Sequence, residues 1–348
     1  MKRKKVLVIG GGAAGMTSAL EMAERGTDVI LVEKDSEIGG RGATYCCKAT
    51  DECNRCAACL VLQQKDQVIQ EPNIQVYTDC DIRSIKEIEK KGQRLFRADV
   101  VMGGKKTKFE TDAVIVATGF DPYDLSRRNE FSYVQESNVI TALELEEAIK
   151  DKGSIQAAYG DDIKKIGFIQ CVGSRDLSIG NGYCSRVCCM YAGKLAKLIR
   201  QDLPDAEIDI FYMDFQSFGK GFSAFKETLE GTDQVKLIRG IPSKIYGFPY
   251  DRLTVRYANS YDGKQIEEKY DLIVLSVAIT PTKGSQDIAE QLGIDLDDYG
   301  FMAGNGNSAQ TSKQGVFIAG VCQGPKDIPQ TVGHAKTAAG EAYRFLCG

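Results

Sequence analysis

Four of the 12 cysteines in this 348-residue chain fall close together, at Cys171, Cys184, Cys188 and Cys189, a C-x12-C-x3-C-C spacing. Thiolates are soft ligands, and four of them converging on one point are what a [4Fe–4S] cluster needs. Cys184 and Cys188 are four residues apart, hence on one face of a helix if that helix starts early. Adjacent Cys188 and Cys189 point about 100° apart on a helix, so both can ligate only at a frayed first turn. Cys171 follows the apolar run Lys165–Ile169. It therefore stands at a strand end that faces the helix N-terminus in a βαβ unit, where the dipole and free N–H groups favour a net-negative group. The plainer alternative is four buried thiols acting as small apolar side chains. The polar neighbours Ser185 and Arg186 fit that poorly. A second group, Cys46, Cys47, Cys53, Cys56 and Cys59, contains C-x2-C-x2-C. Spacing leaves a second cluster, a redox thiol pair and a sulfur-handling thiol open there. Cys80, Cys322 and Cys347 read as isolated thiols.

A second chemistry is written in Gly10-Gly11-Gly12-Ala13-Ala14-Gly15, which fits G-x-G-x-x-G. Gly10 permits a tight turn, Gly12 lets a pyrophosphate approach the backbone, and Gly15 lets the helix pack close to the strand. The helix N-terminus offers N–H groups to the phosphates. Glu33 lies 18 residues past Gly15, where an acid can hold a ribose hydroxyl pair.

The elements that position these residues are legible in the apolar periodicity. Lys5–Ile9 reads as a strand, Ala13–Arg25 as a helix and Asp28–Val32 as a second strand, a βαβ opening that favours a parallel sheet. Ile74–Tyr77, Arg94–Val101 and Lys106–Glu110 read as antiparallel strands with turns at Lys91-Gly92 and Gly103-Gly104, closing in a buried strand at Ala113–Ala117. A second α/β unit follows: strands at Lys165–Ile169, Asp209–Met213 and Lys236–Ile238, a helix over Arg186–Gln201, an alternating section from Leu253 to Tyr270, and a buried strand at Asp271–Val277. The tail has a strand at Val316–Ala319 and a helix from about Thr331 to Leu346. The two halves share one plan, a repeat of organisation rather than of residues.

Composition bounds the function. A net charge of −4 gives no reason to expect nucleic-acid binding. The basic start Met1–Lys5 precedes only four apolar residues, too few for a secretory h-region. No stretch approaches the ~20 apolar residues that span a bilayer, so direct membrane insertion is not expected. Twelve cysteines without an export signal point to the cytoplasm and to metal or thiol chemistry rather than disulfides. The one histidine, His334, excludes any site needing two.

Beyond Glu33, the segment Glu33-Lys-Asp-Ser-Glu-Ile-Gly-Gly-Arg41 resembles its counterpart in the two-dinucleotide-domain flavoproteins, the thioredoxin-reductase and glutathione-reductase group. Thr111–Gly119 is similar to that group's strand at the flavin domain boundary, and Gly315–Gly320 to its last FAD strand. The resemblance implies an α/β two-domain fold and FAD held by Gly10, Gly12, Ala14, Gly15, Glu33, Lys34, Gly40, Arg41, Thr118, Gly119, Gly320 and Thr331. It also implies that the helix beginning near Thr331 points its N-terminus at the isoalloxazine. Many members have an Asp after the last FAD strand. Here Val321-Cys322 follows Gly320, so that contact is remade or lost. The second domain should bind NAD(P)H, yet its glycine turn is missing and Cys171 takes the place of the first glycine.

Gln170–Asp176, Tyr183–Tyr191 and Gly324–Pro329 narrow the resemblance to the A subunit of heterodisulfide reductase. Related subunits serve the sulfur-oxidising heterodisulfide-reductase-like complex and the quinone-interacting membrane-bound oxidoreductase. That implies a [4Fe–4S] cluster on Cys171, Cys184, Cys188 and Cys189 near FAD, in an FAD domain of residues 1–155 plus 282–348 and a cluster-carrying domain of 156–281. The methanogen subunits are longer, with ferredoxin-type C-x2-C-x2-C-x3-C-P motifs, which these residues lack, and a domain ahead of the flavin motif, which is not expected here with Gly10 so near the start. The short form suits the sulfur-oxidising version. Its partners would be the other subunits of such a complex and, in the wider flavoprotein group, a second copy of the chain. Rival readings are an NAD(P)H-dependent disulfide oxidoreductase using Cys53–Cys56 and a flavin or iron–sulfur redox sensor.

Overall fold

The computed structural model describes residues 3–247, 252–306 and 308–348, so Met1 and Lys2 of the basic start lie outside the described residues. The chain forms two compact units. The first comprises residues 1–43, 57–121 and 280–348, the second residues 44–56 and 122–279.

In the first unit five parallel strands form a sheet in the order Val316–Ile318, Ala113–Val116, Lys5–Ile9, Asp28–Val32, Ile74–Tyr77. These strands are near-continuous apolar runs because both faces of the sheet are covered. One face packs on Met16, Ala19, Met22, Ala335, Ala338 and Ala342 of two helices. The other packs on Ile85, Phe96, Ala98 and Phe109 of an antiparallel three-stranded sheet, Cys80–Lys90, Gln93–Met102 and Lys105–Thr111. Ile74–Tyr77 is parallel to its neighbour, with Ile74 opposite Val29, and not part of the antiparallel section. A helix that the periodicity does not mark, Ala58–Gln70, makes the crossover that a parallel partner requires.

The second unit repeats the plan. Its parallel sheet runs Val235–Arg239, Glu207–Tyr212, Lys165–Val172, Leu272–Val277, Val139–Thr141. An antiparallel sheet of Lys244–Tyr246, Leu253–Ala258 and Gln265–Tyr270 accompanies it. Because Val139–Thr141 is its edge strand, with Val139 opposite Ile273, residues 122–155 belong to this unit and not, as expected from sequence, to the first domain. The loop 44–56 also belongs here, with Cys46 in the core beside Leu145 and Ile149. That core helix, Ala142–Lys152, starts from a capping box in which Thr141 and Glu144 satisfy each other's backbone N–H groups.

Candidate flavin and cysteine sites

The glycine turn of the first unit has the sterics its sequence demands. Gly10 has a left-handed φ of 100°, and a Cβ on it would lie 2.4 Å from the Ala117 carbonyl oxygen. A Cβ on Gly15 would lie 1.7 Å from the Gly10 oxygen. Gly12 is different: it caps the helix Ala13–Glu24 at φ −75°, and nothing stands within 4 Å of where its Cβ would be. That open space above the helix start is a cradle for a phosphate.

Glu33 is buried at the end of the second strand. Its carboxylate accepts from the Gly11 N–H at 2.6 Å and the Asp35 N–H at 3.0 Å, which orients it beside the turn. The Gly39 N–H returns to the Gly11 carbonyl at 2.8 Å, and a Cβ on Gly40 would sit 3.1 Å from the Gly12 Cα. Lys34 is exposed. Arg41 lies over the Phe120 ring and bonds the Phe120 carbonyl at 3.1 Å and Asp121 at 3.2 Å.

On the far side of the turn, the strand pair Ala113–Val116 and Val316–Ile318 ends in Thr118-Gly119 and Gly320. Gly119 opens onto space at a φ of 73°. The Thr118 hydroxyl is buried without a partner. A Cβ on Gly320 would lie 2.6 Å from the Ala14 Cβ and 3.1 Å from the Thr331 Cγ2, so the last strand ends against the turn. The C-terminal helix runs Ile328–Cys347, capped by Asp327 and Gln330 in a capping box. It starts three residues before Thr331, whose N–H bonds the Asp327 carbonyl at 2.8 Å, so only the Thr331 hydroxyl is left for a ligand. Cys322, in the place of the expected Asp region, donates to the carbonyls of Val116 and Ala319, each at 3.3 Å. Burial pushes its thiol up to about 11.

In the second unit the strand Lys165–Val172 extends through Cys171, with a register shift between Ile169 and Val172. Cys171 itself takes a left-handed φ of 60°. The helix begins at Cys188, so Cys188 and Cys189 are its first two residues, as double ligation requires, whereas Cys184 lies ahead of it and not on its face. The turn between is held by Ser185, whose hydroxyl accepts from the Ile279 N–H at 3.0 Å, and by the Arg186 N–H, which donates to the Cys184 sulfur at 3.3 Å. The four sulfurs are electrostatic neighbours. Burial, and then each other's charge, push Cys188 well up and Cys171 to about 11. Burial also raises Cys189, against the Gln216 backbone and with a smaller push from Cys184.

Among the described residues no group of three or more His, Cys, Asp or Glu is placed to hold a single metal ion. A four-iron cube spreads its ligands wider than one ion does, so its fit rests on the donor set and its surroundings. The four thiols are soft donors of the kind a cluster takes, and beside Cys171 the side-chain polar atoms of Gln170 and Ser174 are buried without partners. Unpaired buried polar atoms cost about 1–3 kcal/mol each. An acceptor such as a cluster sulfide beside Cys171 would take the Gln170 Nε2 and Ser174 hydroxyl donors, so the donor set and these two groups suit a cluster.

Of the second cysteine group, Cys46, Cys47, Cys53 and Cys56 lie in the second unit and Cys59 in the first. Cys46 is buried and pushed up to about 12 by burial, against the pull of Lys48. The Cys53 sulfur accepts from the Arg55 N–H at 3.4 Å.

Residues 4–342 match the family model of the pyridine nucleotide-disulphide oxidoreductases. Thioredoxin reductase of Lactococcus lactis superposes with a TM-score of 0.67 at 19% identity over 99% of both chains. That of T. acidophilum gives 0.67 at 17% over 99% of this chain and 100% of its own. The fold is therefore that of a two-domain oxidoreductase of the thioredoxin-reductase type, and the family implies a bound flavin. Among curated proteins, an iron-sulfur A subunit of the CoB–CoM heterodisulfide reductase of Methanopyrus kandleri is 33% identical over 98% of this chain and 64% of its own length. The A subunit of the H2:CoB-CoM heterodisulfide, ferredoxin reductase of Methanothermobacter thermautotrophicus is 32% identical over 97% and 63%. The chain belongs to the heterodisulfide reductase A-subunit family and spans under two thirds of the length of these relatives. No helix among the described residues is long and apolar enough to cross a membrane.

Proposed function

We propose that this chain binds FAD in its first unit and a [4Fe–4S] cluster on Cys171, Cys184, Cys188 and Cys189 in its second. In this reading it is an electron-transfer subunit of a heterodisulfide-reductase-like complex acting on sulfur compounds. The observation that carries the reading is the replacement in the second unit: where a nicotinamide turn would carry glycines, Cys171 stands at a left-handed φ beside the three other neighbouring thiols. A bound flavin supplies two-electron chemistry and a cluster one-electron chemistry. The residues do the holding: Gly12 leaves room for the pyrophosphate, Glu33 presents a fixed carboxylate to the ribose, and the Arg186 N–H orients the Cys184 sulfur.

The role in sulfur oxidation rests on the resemblance of Gln170–Asp176, Tyr183–Tyr191 and Gly324–Pro329 to the subunits of the sulfur-oxidising complex. The alignment with the Methanopyrus relative runs over 423 positions, more than this chain has residues, so that relative carries inserted segments here. No C-x2-C-x2-C-x3-C-P motif occurs in the 348 residues. In this reading the chain hands electrons to neighbouring subunits of the complex and, as in the wider flavoprotein group it resembles, pairs with a second copy of itself.

Iron, sulfide and flavin analysis with EPR on anaerobically purified protein tests the reading. The expected result is one FAD and four irons per chain, with Cys188→Ser losing iron and keeping FAD, since a hydroxyl is a poor ligand for iron–sulfur chemistry. Unchanged iron in that variant removes the ligand set. The Cys53–Cys56 disulfide reductase reading instead requires that NADH or NADPH alone bleach the flavin absorbance.

A further inference from the structure

His334 is the one histidine of the chain, and its ring is held in a single way. The Gly320 N–H donates to its Nδ1 at 2.9 Å. An Nδ1 that accepts carries no proton, so a neutral imidazole must carry it on Nε2. The ring is neutral at ordinary pH: burial, and then the nearby Lys326 ammonium, push it down to about 4. Nε2 is therefore an N–H donor, and it is buried without a partner. A buried donor left unmade is unfavourable, and native chains rarely tolerate one without a reason.

The surroundings supply one. Gly320, which holds the ring, packs on Ala14 at the glycine turn, and its would-be Cβ meets Thr331 one helical turn before His334. The second orphan of this region, the Thr118 hydroxyl, stands at the end of the strand that pairs with Val316–Ile318. Two unpaired buried polar atoms thus lie at the carboxyl ends of adjacent parallel strands, where sheets of this kind bind their ligands.

We propose that His334 is a ligand of the flavin nucleotide, its Nε2–H donating a hydrogen bond to an acceptor atom of the FAD seated on the Gly10–Gly15 turn. This rests on the reading of the first unit as an FAD domain. The histidine completes its bonding only when the nucleotide is present, with Nδ1 tying the ring to the last strand and Nε2 reaching the ligand.

Because there is one histidine, an imidazole 15N–1H correlation spectrum of the 15N-histidine-labelled chain contains one residue's signals. The expected spectrum has the Nε2–H tautomer in the deflavinated protein, and on adding FAD the Nε2–H signal shifts and is protected from solvent exchange. An Nδ1–H tautomer, or an Nε2–H signal unmoved while the absorbance shows FAD bound, overturns the proposal. Absence of any bound FAD by absorbance would instead sink the flavin reading itself, and the proposal with it. Variants give an independent measure. His334→Leu should weaken FAD binding by about five- to tenfold, and His334→Gln, which keeps an acceptor and a donor, should restore most of it. A lower melting temperature in His334→Leu with unchanged FAD affinity would reduce the residue to a purely structural role and refute the assignment.

Discussion

The ammonium of Lys48 and the carboxylate of Glu146 pair inside the second unit, their side chains only 4% and 5% exposed. Lys48 also donates to the Cys46 carbonyl at 3.4 Å, and Asn54 donates to the Lys48 carbonyl at 2.6 Å. The pair therefore fastens the irregular loop 44–56, with four of the second-group cysteines, onto the helix Ala142–Lys152. Burial raises the Glu146 carboxyl despite the lysine beside it, as desolvation of a charge demands. Removing one partner leaves a buried charge alone. Lys48→Met should lower the unfolding free energy by about 3 kcal/mol, and Lys48→Met with Glu146→Leu should recover most of it. Urea denaturation of the three proteins checks the pattern, and equal losses in the single and double variants would contradict it.

The glycine turn allows a sharper separation of folding from binding. Gly15→Ala puts a methyl 1.7 Å from the Gly10 oxygen, so it should destabilise the chain with or without flavin. Gly12→Ala places its methyl in open space at a φ of −75°, which any residue adopts. The deflavinated variant should melt like the parent yet bind FAD more weakly by about tenfold or more, about 1.4 kcal/mol, because the methyl occupies the phosphate's place. Melting curves of deflavinated protein and FAD titration by fluorescence separate the two effects.

His334 gives the stability a pH dependence with a definite sign. In the unfolded chain the imidazole titrates near its ordinary value of about 6.5, whereas in the fold it is pushed down to about 4. Between those values the unfolded chain binds the extra proton, so stability falls as pH drops from about 6.5 to 4 and the loss is complete below. Partial exposure of the ring softens the slope. His334→Gln should flatten this part of the profile, measured as the urea midpoint between pH 4 and 7, and an unchanged slope would remove the histidine from the account.

Much of this architecture is legible because burial writes itself as periodicity. The strands at Lys5–Ile9, Asp28–Val32 and Lys165–Val172 are apolar on both faces, and the glycines at 10 and 15 admit no other residue. What stays hidden is polar in the wrong place. The helix Ala58–Gln70 buries Gln64, which donates to the Thr17 hydroxyl at 2.8 Å, and this breaks the apolar stripe that would announce it. With its crossover unseen, the strand Ile74–Tyr77 looks antiparallel. Lys48 and Glu146 look like surface residues in any sequence, and only the chain folding back across a separation of 98 positions makes them a pair. His334 gives one signal, its being alone. The tautomer that gives it meaning comes from Gly320, 14 residues away.

Cys171 carries a strain that a glycine would not. Its φ of 60° is a conformation that costs a side-chain-bearing residue about 1–3 kcal/mol, and such costs persist at functional sites. A nucleotide turn would place glycine here and avoid the cost, so the thiol is what the strain maintains. Replacing it separates the two contributions. Cys171→Gly and Cys171→Ala both remove the sulfur, and both should lose iron from anaerobically purified protein. Only the glycine variant also releases the backbone, so without cofactor it should be more stable than the alanine variant by about 1 kcal/mol. Urea unfolding of the two iron-free proteins makes the comparison. Equal midpoints would mean that the left-handed turn relaxes when the thiol is absent, and the strain would then have no part in holding Cys171 toward its three partners.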